Sequence, residues 1–392
     1  MSKVTVKDID FKGKKVIVRV DFNVPLDDKL QITDDARITA AMETIKYILS
    51  KSPKKLILMS HLGRPKGKVV DSMRMNPVAK RLSELLAEPV LKLDECVGPN
   101  VKQNIDSSSQ RVILLENLRF TPKEEAGDEQ FAKDLASLAD VYVNDAFGTA
   151  HRAHASTTVI AKFLPSAIGF LMEKEVNFLS KVAFSPQSPF IAILGGAKVS
   201  DKIGVVNHLI SKVDKIIIGG AMAYTFLKAK NVEVGNSRVE GDKLDLAKEI
   251  FANASKNNVE IVLPVDHLCV DKIDSPAQKK ICDVISSGLM GVDVGPKTIS
   301  LFKQVLTKSK TVLWNGPLGI FENPDYAQGT KEIAEFLATL DAIVVVGGGD
   351  SAAAAKEFGV NDKLSHVSTG GGASLEFLEG QELPGVAVIS DK

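Results

Sequence analysis

Residues 190–204, FIAILGGAKVSDKIG, restrict what this chain can fold into more than any other stretch. An apolar run stops at Gly195-Gly196-Ala197. The helical pattern that follows sets Lys198 and Lys202 four residues apart, on one face. A strand that is apolar throughout is buried on both faces, as in a parallel sheet. A glycine turn after it leaves the first N–H groups of a helix pointing outward, and these suit an anion. No G-x-x-x-x-G-K-[ST] sequence is present, so the turn is not a P-loop. The arrangement recurs. Residues 215–218 run into Gly219-Gly220, 342–346 into Gly347-Gly348-Gly349-Asp350, and 366–369 into Gly370-Gly371-Gly372. Close helix–strand packing alone explains one or two such turns. Four in one half predict a ligand crevice at the carboxyl edge of a parallel sheet.

The first half alternates strand patterns at 15–20, 55–59, 111–115 and 141–143 with helical patterns at 34–49, 76–86 and 128–139. Alternating β and α segments predict a second parallel sheet covered on both faces. A chain of 392 residues exceeds one typical core. We therefore expect an α/β protein of two domains, 1–170 and 189–372. The helical pattern at 171–181 and the Pro/Ser segment behind it form the connection, 171–188.

The two halves place different chemistry after their strands. The first offers Asp21, Asn23, Arg37, His61, Arg64, Arg119 and Arg152, a set rich in the forked donors that match phosphate and carboxylate oxygens. His61 can be read as a base, as a donor to a phosphate, or as a structural residue; the cation at Arg64 favours the donor. His151 and His154 lack a third ligand and do not predict a metal site. The second half offers backbone N–H groups, Lys198, Lys202 and the carboxylate of Asp350. A bare carboxylate repels a phosphate unless a divalent ion joins them, which points to Mg²⁺ with a nucleotide. Asn315 reads as a free donor and Glu322 as a partner for ribose hydroxyls.

Equal numbers of basic and acidic residues, 49 each, give no general attraction to nucleic acid or membranes. The 3 cysteines have no metal-ligand spacing, and no run nears the ~18 apolar residues of a membrane span. The charged start, MSKVTVKDIDFKGKK, has no apolar segment, so a cytoplasmic location is expected. Gly347–Ala352 satisfies a loose G-x-G-x-x-A dinucleotide fingerprint, but Thr369 closes the next strand where an acidic residue is required. An oxidoreductase therefore ranks below a metal–nucleotide kinase. A two-lobed solute-binding protein ranks lower still without an export signal.

The sequences VDFNVP, DDARI, SHLGRP, ENLRF, DAFGTAHRAHAS, GGAKVSDK, WNGP, GGGDS and STGGGAS, in that order over nearly the whole chain, resemble the phosphoglycerate kinases. Segment 66–76 is shorter than is usual there, and Ser351 stands where threonine is frequent. The resemblance implies two Rossmann-like parallel-sheet domains facing across a cleft, joined by a helical hinge, with a tail from about 373 returning to the first. It implies that Asp21, Asn23, Arg37, His61, Arg64, Arg119 and Arg152 bind 3-phosphoglycerate or 1,3-bisphosphoglycerate. Mg-ADP or Mg-ATP would be held by Gly195, Lys198, Lys202, Gly219, Gly220, Gly291, Asn315, Pro317, Glu322, Gly347, Gly348, Gly349, Asp350 and Ser351, with Asp350 on the metal. Arg37, Lys198 and Gly371 take the catalytic roles. The implied activity is reversible transfer of an acyl phosphate to ADP in glycolysis, by a cytoplasmic monomer whose partners are these small molecules and neither nucleic acid nor membrane.

Overall fold

Two compact units divide the chain, one of residues 1–177 with 382–392 and one of 178–381. The computed structural model describes residues 3–392. In the first unit, β1 (Lys15–Val20), β2 (Lys55–Met59), β3 (Val90–Lys92), β4 (Val112–Leu114), β5 (Val141–Asp145) and β6 (Ser166–Ile168) form one parallel sheet ordered β3-β4-β2-β1-β5-β6. Every residue of β2, β4 and β5 is buried, as a sheet covered on both faces demands. Helices Ala36–Ser50 and Asn76–Leu86 contribute Ile38, Ile45, Val78 and Leu82 to the core. The short β3 and β6 and the polar helix Pro99–Ser107 carry too weak a pattern to be read in advance. Arg19 lies opposite Met59 on one side and Asn144 on the other, so β1, β2 and β5 end level and their loops leave from one edge.

The boundary between units falls inside helix Phe170–Ala183. The tail joins the first unit from Glu382 rather than from about 373, because helix Gly372–Leu378 buries Ala373, Phe377 and Leu378 in the second. Beyond it, Gly385 donates from its N–H to Ala150 O at 2.8 Å and accepts from Asn144 Nδ2 at 3.0 Å.

In the second unit, β7 (Phe190–Leu194), β8 (Lys215–Ile218), β9 (Glu260–Val262), β10 (His267–Val270), β11 (Lys279–Cys282), β12 (Met290–Val294), β13 (Thr311–Asn315), β14 (Ile343–Val346) and β15 (His366–Val367) form two sheets. One is parallel, ordered β15-β14-β13-β7-β8-β9; the other is a small antiparallel sheet, β11-β10-β12. The antiparallel sheet went unread because its strands flank the polar stretch DKIDSPAQKK.

The helix expected directly after Gly195-Gly196 does not form. Residues Ser200–Lys202 make a 3-10 turn and the α-helix starts at Ile203. Glu240 takes hydrogen bonds from the N–H of Val199, and from the Ser200 hydroxyl at 2.7 Å, which holds the segment out of the helix. Lys198 is therefore exposed in the turn and shares no helix face with Lys202.

Packing requires several of the glycines. Gly195 donates to Asn315 O and Gly196 to Pro317 O, both at 2.9 Å, and Gly220 donates to Leu318 O at 3.0 Å. A Cβ on Gly195 would stand 2.1 Å from Pro317 O, and one on Gly316 2.2 Å from Gly195 O. The turns after β7, β8 and β13 thus touch backbone to backbone. Gly195→Ala should lower the stability of this unit by about 2 kcal/mol. Trp314, the single tryptophan, is fully buried in β13, so urea denaturation followed by its fluorescence reads the second unit. An unchanged midpoint would show that the turns can separate at no cost.

Candidate functional site

At the carboxyl edge of the first sheet, three loops are tied together by side chains. Asp21, just past β1, accepts from Arg37 Nη1 at 2.6 Å. Asn23 Oδ1 accepts from the N–H of Gly63 at 2.8 Å, which joins the loops after β1 and β2. Asn117 accepts from the Leu62 N–H at 3.2 Å and donates to Leu62 O at 2.7 Å, and Arg119 Nη1 donates to Gly63 O at 3.1 Å. The structure brings Asp21, Asn23, Arg37, His61 and Arg119 together in this way. Arg64 and Arg152 stand exposed in the flanking loops.

One cation here was not singled out from the sequence. Arg19, within β1, is fully buried. Its Nε donates to Ser156 Oγ at 2.9 Å, its Nη1 bonds Val20 O, and its Nη2 lies 3.1 Å from His61 Nδ1. Ser156 in turn bonds the buried carboxylate of Glu124. The signal was present in the sequence: an arginine inside VIVRV is a charge in a buried strand, and such a charge needs a partner.

Electrostatics show how these groups converge. Burial, then Arg19, Arg119, Arg37 and His154, holds the His61 imidazole well below the usual histidine range. Burial, then Arg119, Arg19 and Arg152, lowers His154 to about 4. Both rings are thus neutral at pH 7, amid permanently charged guanidiniums. Arg19, Arg37, Arg64, Arg119 and Arg152 outnumber Asp21, Glu124 and Glu125, the carboxylates beside them. The excess positive charge suits a small polyanion.

The second unit holds a cavity of about 310 Å³ at the carboxyl edge of its parallel sheet. Of the expected residues, Gly220, Gly291, Pro317, Glu322 and Asp350 line it. Gly195, Asn315, Gly347 and Ser351 are buried behind it, where they hold its wall. Asn315 is not a free donor: its Nδ2 donates to Gly347 O at 2.8 Å and its Oδ1 accepts from Lys202 Nζ. Ser351 Oγ accepts from the Gly316 N–H at 2.6 Å. Gly219 is held against Leu318, while Gly348, with φ of +91°, opens the helix Gly349–Glu357. Asp350 is exposed in the first turn of that helix, and burial lowers the Lys202 ammonium against the pull of Asp201, Asp350 and Glu379. Gly371, with φ of +52°, has open space where a side chain would stand. Tyr224 and Arg238 also line the cavity and were not read from the sequence.

Volume alone does not identify a site. A larger cavity in the first unit, about 860 Å³, is lined by Arg74, Lys92 and Asn104 among others. Its cations are already paired: Lys92 with Glu116 at 2.6 Å and Asp94 at 2.8 Å, and Arg74 with Glu116 at 3.0 Å and Asp71 at 2.8 Å. No positive charge is left over for an anion.

The family model described as phosphoglycerate kinase matches residues 6–381. The phosphoglycerate kinase of Dictyoglomus turgidum is 56% identical over 399 residues, and that of Pseudothermotoga lettingae 54% over 396, each alignment covering 100% of both chains. Among solved structures, phosphoglycerate kinase from Coxiella burnetii superimposes with a TM-score of 0.90 at 37% identity, covering 98% of each chain. The enzyme from Pyrococcus horikoshii gives 0.85 at 34%, with the same coverage. Sequence and fold together place this chain in the phosphoglycerate kinase family.

Proposed function

We propose that the chain carries out its family's reaction with a division of labour between its two units. The first holds 3-phosphoglycerate or 1,3-bisphosphoglycerate, the second holds ADP or ATP, and the acyl phosphate passes directly between them. The observation that carries this reading is the set of guanidiniums around two neutral histidines at one sheet edge, a receptor whose arginines outnumber its carboxylates and which suits a phosphorylated acid. Phosphoryl transfer asks for little else. The attacking group is a carboxylate or a phosphate oxygen, already nucleophilic, so catalysis reduces to positioning and to stabilising charge on the group in flight. Formation of ATP from 1,3-bisphosphoglycerate and ADP, in a coupled assay, tests the reading; no ATP from the pure protein would refute it.

Arg37, Asp21, Asn23, His61, Arg64, Arg119 and Arg152 are assigned to the acid, and the glycine-walled cavity with Glu322 to the nucleotide. Arg37, Lys198 and the backbone N–H at Gly371 are assigned to the phosphoryl group during transfer. Because the substrates belong to different units, transfer requires that both be brought together and water excluded, with helix Phe170–Ala183 among the hinges. A cytoplasmic monomer is the working form we infer. Among the described residues no helix is long and apolar enough to cross a membrane.

The chemistry of the donor set fits Mg²⁺ at Asp350. Among the described residues no three His, Cys, Asp or Glu side chains are grouped to hold a metal by themselves. Mg²⁺ commonly uses one or two carboxylates and completes its shell with phosphates and water, and the exposed Asp350 lines the cavity where phosphates would lie. Bound with the nucleotide, the ion would neutralise phosphate charge. Asp350→Asn should lower activity and raise the Mg²⁺ concentration for half-maximal rate, with the melting temperature nearly unchanged. An unaltered Mg²⁺ requirement would remove Asp350 from the metal.

Among the described residues Lys198 forms no ion pair, and it is exposed in its turn, so its ammonium can follow charge as it develops. Lys198→Ala should reduce kcat by about 10²–10³-fold with little change in either KM. Arg37→Ala should also raise the KM of the acid, since Arg37 faces it before transfer begins. Near-normal kcat with a raised nucleotide KM would make Lys198 a ground-state anchor instead.

A further inference from the structure

We propose that Arg19 is a positioning residue that fixes His61 as the Nε2–H tautomer and thereby makes it a hydrogen-bond donor to the anionic substrate. The substrate part of this statement rests on assigning the first unit's crevice to the phosphorylated acid; the tautomer does not. A guanidinium has five N–H donors and no acceptor. The 3.1 Å contact between Arg19 Nη2 and His61 Nδ1 can only run from arginine to histidine, so Nδ1 presents its lone pair. In a neutral imidazole the single proton then sits on Nε2.

Arg19 cannot turn away, because every link behind it is buried and has a fixed direction. Arg19 Nε donates to Ser156 Oγ at 2.9 Å, so that hydroxyl gives its proton to Glu124 Oε1 at 2.5 Å. Glu124 Oε2 accepts from the Ser156 N–H at 3.0 Å. Both carboxylate oxygens therefore act as acceptors, and in the row Glu124–Ser156–Arg19–His61 donation runs outward from Arg19, through Ser156 to Glu124 on one side and to His61 on the other. Arg19, Ser156 and Glu124 have zero exposure and His61 has 3%, so water does not offer an alternative partner. Arg37, Arg119 and His154 also face the ring electrostatically, and each of them disfavours a second proton on it. His61 accordingly donates from Nε2 and does not act as a base.

Long-range ¹H–¹⁵N correlation spectra of the histidine rings, recorded without substrate, test this directly. The chain has six histidines, and the His61 signals are those missing in His61→Gln. Wild type should show a protonated Nε2 and a bare Nδ1 that stay unchanged from about pH 6 to 8, on either side of the ordinary histidine value. Arg19→Met should mix the tautomers and move the titration of His61 upward. A protonated Nδ1 in wild type, or an unmixed tautomer in Arg19→Met, would overturn the proposal. Should Arg19→Met not fold, the wild-type spectrum still decides. Kinetics separate the substrate part. A glutamine amide can accept from Arg19 and donate onward, so His61→Ala should raise the KM of the acid about tenfold and His61→Gln distinctly less. Equal effects of the two variants, or no effect of either, would overturn the donor role while the spectra stand independently of any activity.

Discussion

A guanidinium stripped of water in the middle of a parallel sheet has to be answered by the groups around it. Desolvating an ion costs several kcal/mol unless partners replace the water. Arg19 finds its partners in Ser156, Val20 O and His61, and its counter-charge in Glu124. That demand draws the segment after β4, which holds Glu124, and the segment after β5, which holds Ser156, onto the end of β1. The same edge then receives Arg119 and Arg37, and the crevice takes its charge and shape together. Its positive excess is built into the packing and persists without ligand.

In the second unit the organising contact is steric. Turns that follow three neighbouring strands meet backbone to backbone, and the closest approaches leave no room for a Cβ at Gly195, Gly220 or Gly316. The glycines after the strands of this sheet thus do two things at separate positions. Gly195 and Gly316 allow close contact, whereas Gly349 and Gly371 have open space beside them. Lys202 and Asn315 brace the wall from behind, while Arg238, Glu322 and Asp350 line the cavity as exposed charges and Lys198 stands exposed in the turn after β7. A wall fixed by backbone contacts with exposed charges in front of it offers charge to a phosphoryl group without rebuilding itself.

Much of this could be read from residues alone, and the exceptions have physical causes. The strand ends were legible because long apolar runs stop at turns, so Arg37, His61, Arg119 and the glycine turns fell where α/β proteins bind ligands. Arg19 was hidden because it sits inside a strand pattern, and Glu124 because PKEE reads as a solvated charge run. Asn315 looked free because its two partners, Lys202 and Gly347, are distant in sequence. The shared helix face of Lys198 and Lys202 failed because Glu240, some forty residues on, ties down the segment between them. Each of these four misses involves a long-range polar contact, which periodicity does not encode. The resemblance carried the substrate and nucleotide assignments, and the geometry supplied the reasons those residues can serve.

Under the proposed function, the reaction depends on two anion receptors, one in each unit, rather than on a reactive group of the protein. Small-angle X-ray scattering from the protein alone, with 3-phosphoglycerate, with Mg-nucleotide, and with both tests it most directly. The radius of gyration should fall distinctly when both substrates are present and less with either one. Identical scattering curves in all four states would contradict the account.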